Sequence, residues 1–73
     1  MPKLYSSVQI IKVLLKLGFA FVSQRGSHAK YRKTSKSVLT VIIPVERKEV
    51  PRGTFRSILR QAGLTETEFK KIK

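Results

Sequence analysis

Apolar residues fall at helical spacing near the start of the chain. Val8, Ile11 and Leu15 stand at offsets 0, 3 and 7, and Ile10, Leu14 and Leu17 widen the stripe. Ser6-Ser7-Val8-Gln9 reads as a capping box, in which the serine hydroxyl accepts from the third backbone N–H and Gln9 reaches back to the cap. Gly18 supplies a left-handed stop, so the pattern predicts a helix over about 7–17.

Beyond Gly18 the chain turns aromatic and β-branched, which predicts a strand over 19–25 and a hairpin turn at Gly26-Ser27. On the return arm His28, Lys30 and Arg32 share one face and Ala29 and Tyr31 the other. Residues 33–37 read as a polar turn, 38–43 as a well-covered apolar strand ended by Pro44, and 45–50 as a charged connector. Pro51 suits the first turn of a helix running to Gly63, where Phe55, Ile58, Leu59 and Ala62 form the packing stripe. Thr65-Glu66-Thr67-Glu68 is a second capping box, opening a short helix whose Phe69 and Ile72 close over the core. Of the aromatics, Tyr5, Phe19, Phe21, Phe55 and Phe69 are expected in the core, and strand parity turns Tyr31 toward the helices.

The order is α-β-β-β-α with a short C-terminal helix, and adjacent strands without helical crossovers form an antiparallel sheet. An α+β fold follows: a three-stranded sheet covered on one face by helices, the layout of double-stranded-RNA-binding domains. At 73 residues the chain, 1–73, reads as one domain.

Charge adds a partner to this picture. Sixteen Lys and Arg face 4 acids, a net +12, and residues 1–45 carry eight cations and no anion. So unbalanced a surface expects a polyanion. The absence of Cys removes disulfides and thiolate zinc sites and fits the cytoplasm. Lys12 and Lys16 interrupt the apolar stretch 8–22, which argues against a membrane span or leader segment.

The chemistry is bounded by what the chain lacks. With one His, no Cys and no Asp, zinc is not expected, and the four Glu are not spaced to hold two divalent ions. No acid lies near Ser27-His28 in sequence to build a triad, and the four glycines form no phosphate-binding or dinucleotide signature, so no cofactor is indicated. RNA cleavage by the substrate's own 2′-hydroxyl remains open, because it needs only proton transfer and charge compensation. His28 is the candidate proton carrier, with Lys30 and Arg32 beside it to stabilise the phosphorane. One imidazole cannot be acid and base in the same step, so water, Tyr31 or a lysine completes the transfer. The bland reading of His28 is an exposed residue beside a turn.

Arg52, Arg56 and Arg60 step by four along the second helix. A solvated face is the ordinary fate of such a stripe, but no acid stands at i,i+4 to pair with it, which favours an external phosphate backbone.

The ordered set Gly18-Phe19, Gly26-Ser27-His28, Tyr31-Arg32, Ile43-Pro44-Val45 and Gly53-Thr54-Phe55-Arg56-Ser57-Ile58-Leu59-Arg60-Gln61-Ala62-Gly63-Leu64 resembles the HicA (YcfA-like) toxin family over nearly the whole chain. The resemblance implies a double-stranded-RNA-binding-like fold, metal-independent mRNA cleavage, His28 as the catalytic histidine, and neutralisation by a HicB antitoxin. Family members commonly carry a second histidine two residues after the proline that ends the third strand, where this chain has Glu46. The combined expectation is a toxin endoribonuclease: His28 catalytic, Lys30, Arg32, Arg52, Arg56 and Arg60 binding RNA, mRNA as substrate, and an antitoxin acidic on its contacting face. The alternative is a non-catalytic RNA-binding module, which needs the cations but not the imidazole.

Overall fold

A computed structural model describes residues 3–73. Its elements are α1 (Ser7–Lys16), β1 (Ala20–Arg25), β2 (His28–Thr34), β3 (Val38–Pro44), α2 (Arg52–Ala62) and α3 (Glu66–Ile72). Both capping boxes form. Gln9 N–H donates to Ser6 Oγ at 3.1 Å and Ser6 N–H to Gln9 Oε1 at 2.9 Å, and Thr65 and Glu68 exchange the equivalent pair at 3.1 and 2.9 Å. Gly18, at φ 98°, turns the chain so that Phe19 N–H donates to Leu14 O at 3.0 Å. Phe19 thus closes the helix, and β1 begins one residue later than its composition predicts.

The phase of α1 differs from the expected stripe. Ile10, Val13 and Leu14 are buried, whereas Val8 and Leu15 are 60% and 52% exposed. Six apolar residues lie almost all round this helix, so apolar spacing alone does not choose a face. Lys12 and Lys16 choose it: their ammonium groups must reach water, and Val8 and Leu15 share their side.

The sheet is antiparallel in the order β1-β2-β3. Lys33 and Thr34 pair with Leu39 and Val38, which extends β2 and shortens the polar turn to Ser35–Ser37. Pro44 lies inside β3 as its last residue, opposite His28, where a missing N–H removes no ladder bond beyond the strand end. Ala29, Tyr31, Val41 and Ile43 form one buried cluster with Ile10, Val13 and Leu14 of α1 and Phe55, Ile58, Leu59 and Ala62 of α2. Alternate residues of β2 and β3 therefore face the helices, and their neighbours form an open face.

Two features bear on the sheet edges and the far end of the core. Ile42 N–H donates to Gln61 Oε1 at 3.0 Å, so α2 covers the outer edge of β3. Phe21 does not join the core as expected: it is 55% exposed, its ring edge-on to Tyr31 at 5.7 Å. It stands on the outermost strand, all of whose residues are exposed. Tyr5, Phe55 and Phe69 instead gather with ring centroids 4.9–5.2 Å apart and fasten α3 to the body.

Candidate active site

The geometry of the open face follows from a two-residue hairpin. Gly26 takes φ 58°, a left-handed conformation that suits the first position of a tight hairpin turn, and Arg25 and His28 become cross-strand partners. A bulge between Phe21 and Ser23 shifts β1 so that Ser23 stands opposite Lys30. On the other side Lys30 pairs with Ile42 and His28 with Pro44. Ser23, Arg25, His28, Ala29, Lys30 and Ile42 line a shallow depression of about 370 Å³.

His28 is exposed, with Nδ1 3.4 Å from Ser27 Oγ. Among the described residues the ion pairs are Arg52–Glu66 and Arg56–Glu66, so no carboxylate holds the imidazole. Lys30 is half-buried in the same depression. Arg32 lies two residues further along the open face, exposed, its Nε donating to Thr40 Oγ1 at 3.4 Å. Strand parity thus brings His28, Lys30 and Arg32 to one surface as expected. It also brings Arg25, which sequence reasoning left out. The signal was present in the turn: once Gly26-Ser27 is a two-residue loop, the residue before it must stand opposite His28.

The backbone beside His28 is held from behind. Val45 N–H donates to Ser27 O at 2.8 Å, tying the loop after β3 to the turn before β2. That loop is itself bonded to α1. Ser7 Oγ donates to Pro44 O at 2.6 Å and accepts from Arg47 N–H at 3.1 Å, and Ser7 N–H donates to Arg47 O at 2.9 Å. Between these tethers Glu46 is exposed and adopts φ 59°.

The arginines of α2 lie elsewhere. No α2 residue lines the depression. Nor is the stripe free of acids, as the i,i+4 test suggested. Arg52 Nη2 donates to both carboxylate oxygens of Glu66 at 2.8 and 2.9 Å, and Arg56 Nε lies 4.0 Å from the same group. Glu66 is 14 residues from Arg52 and reaches it because Gly63, at φ 71°, turns the chain back toward the start of α2. Arg56 and Arg60 are exposed.

Among the described residues no group of three or more His, Cys, Asp or Glu could hold a metal ion. No described helix is long and apolar enough to cross a membrane.

A hairpin that presents one imidazole among cations, on the bare face of a helix-backed sheet, agrees with what a family comparison returns. The model described as "HicA toxin of bacterial toxin-antitoxin" matches residues 8–64, and the chain belongs to that family. It is therefore the toxin member of a pair whose other member is an antitoxin. The match contains His28, Lys30, Arg32 and the α2 arginines, and ends before α3. Comparison with curated proteins found no match.

Proposed function

We propose that this toxin is a metal-independent endoribonuclease acting on mRNA, and that residues 1–73 form a single toxin domain. The observation that carries the reading is the exposed His28 imidazole in a depression it shares with Arg25 and Lys30. In the proposed reaction the substrate's 2′-oxygen bonds to the adjacent phosphorus as the bond to the 5′-oxygen breaks. The products are a 2′,3′-cyclic phosphate and a 5′-hydroxyl. His28 carries one of the two protons, taking it from the 2′-hydroxyl or delivering it to the leaving oxygen, and water carries the other. Arg25, Lys30 and Arg32 offset the charge that gathers on the phosphorane. Tyr31, buried against the helices, has no path to the open face and is set aside as the second group.

Arg56 and Arg60 add phosphate contacts outside the depression. Arg52 contributes less than the other two, because Glu66 already occupies its guanidinium. The antitoxin, a HicB-like protein acidic where it touches the toxin, stops the reaction in the cytoplasm by covering His28 and the surrounding cations. A metal-free reaction is in keeping with a chain that offers one His, no Cys and no Asp as ligands. End-group analysis of cleaved RNA tests the chemistry. Cyclic phosphate and 5′-hydroxyl ends, in yield unaffected by chelator, are expected; 5′-phosphate ends would refute it.

A further inference from the structure

Ser7 is 1% exposed, the one buried polar side chain among the described residues. It opens α1, where the first N–H groups have no partner inside the helix. Here that N–H, and both hydrogen-bonding capacities of the hydroxyl, are directed at one short segment some 40 residues away. Pro44 O and Arg47 N–H, at the two ends of the 44–47 loop, meet the same oxygen. The middle of that loop, Val45 N–H, holds Ser27 O, and Pro44 stands opposite His28 in the sheet register. A side chain needed only to fill this buried space would be apolar. A hydroxyl satisfied as donor and acceptor specifies where the loop lies.

We infer that Ser7 is a positioning residue: through the 44–47 loop it fixes the 26–28 turn and hence the His28 imidazole over the depression. The inference rests on the proposal that His28 transfers the proton. Proton transfer depends steeply on placement, and a displacement of about 1 Å costs up to about 100-fold in rate. Phosphate binding by long, flexible Lys and Arg side chains tolerates such a shift. Loss of the hydroxyl therefore falls on kcat and spares KM.

The experiment compares the full chain carrying Ser7→Ala, Ser7→Thr or Ile72→Ala, the last a truncation on α3 that destabilises without touching the loop. Cleavage is measured per folded molecule. Ser7→Ala is expected to lower kcat by about 10- to 100-fold with KM within about twofold of wild type. Ser7→Thr, which keeps the hydroxyl, restores most of the rate, and Ile72→Ala leaves it unchanged. In Ser7→Ala the Val45 and Arg47 amides exchange faster relative to Leu59, and the His28 ring resonances move. If Ser7→Ala does not fold, Ser7→Cys, with its weaker hydrogen-bonding group, is measured in its place. A kcat no lower than that of Ile72→Ala overturns the inference. Should wild type cleave no RNA, the catalytic proposal fails by itself. Unchanged Val45 exchange together with unmoved His28 resonances then overturns the positioning role separately.

Discussion

Glu66→Gln removes the charge and one of the two acceptor oxygens that occupy Arg52 while keeping nearly the same shape. The two side chains are 39% and 33% exposed, so the pair is screened by water, and exposed pairs contribute about 0.2–1 kcal/mol. Both contacts, from the single Nη2 at 2.8 and 2.9 Å, are short and charge-assisted, which puts the pair at the upper end, about 1 kcal/mol. In a chain of 73 residues that lowers Tm by roughly 4–8 °C. Glu66 also opens α3, where a carboxylate favours the helix N-terminus, so Arg52→Ala and the double variant are measured beside it to isolate the pair. The functional consequence is opposite in sign. A freed Arg52 becomes available to phosphate, and each added contact to a single strand steepens the salt dependence of log affinity by about 0.7. Glu49→Gln controls for net charge, since Glu49 is exposed and belongs to neither ion pair. Fluorescence titration of a labelled single strand across a salt series reads the slope. A Glu66→Gln protein with unchanged Tm and the slope of Glu49→Gln would show that Glu66 does not restrain Arg52.

Two further predictions concern stability. Phe69→Ala empties the centre of the Tyr5–Phe55–Phe69 cluster and costs about 3–5 kcal/mol. Total stability for 73 residues is about 4–11 kcal/mol, so urea unfolding should show a protein near its limit; a midpoint shift worth under about 1 kcal/mol would mean α3 is not part of the core. Glu46→Gly relieves a left-handed conformation costing about 1 kcal/mol and adds roughly 0.5 kcal/mol of unfolded-state freedom, for a net gain near 0.5 kcal/mol. A lower Tm would mean that the Glu46 side chain makes a stabilising interaction.

The parts of the fold visible in the sequence are those decided by neighbours a few residues apart. The boxes at Ser6–Gln9 and Thr65–Glu68, the stop at Gly63 and the alternation from His28 to Arg32 are local, and each appears where its spacing places it. What escaped depends on partners distant in the chain. The α1 stripe was misphased because apolar residues surround the helix, and only the two lysines break the symmetry. Phe21 has core chemistry but edge-strand placement. The Arg52–Glu66 pair forms across a turn that i,i+4 spacing does not span. Ser7, read only as part of a cap, reaches the loop beside His28 through contacts 37 and 40 residues away. The candidate site itself is partly local, since His28, Lys30 and Arg32 are set by parity. Arg25 joins them through its cross-strand pairing with His28, which the length of the turn decides.

The central claim is tested most directly by incubating purified, antitoxin-free wild type and His28→Ala with the same mRNA and following both cleavage and binding. Wild type is expected to cut the transcript. His28→Ala should lose about 100-fold or more in rate while its affinity stays within about twofold, because the imidazole moves protons and the cations hold phosphate. Equal cleavage by the two proteins, or an intact transcript with wild type, would contradict the account; the latter, with binding retained, would leave an RNA-binding module in its place.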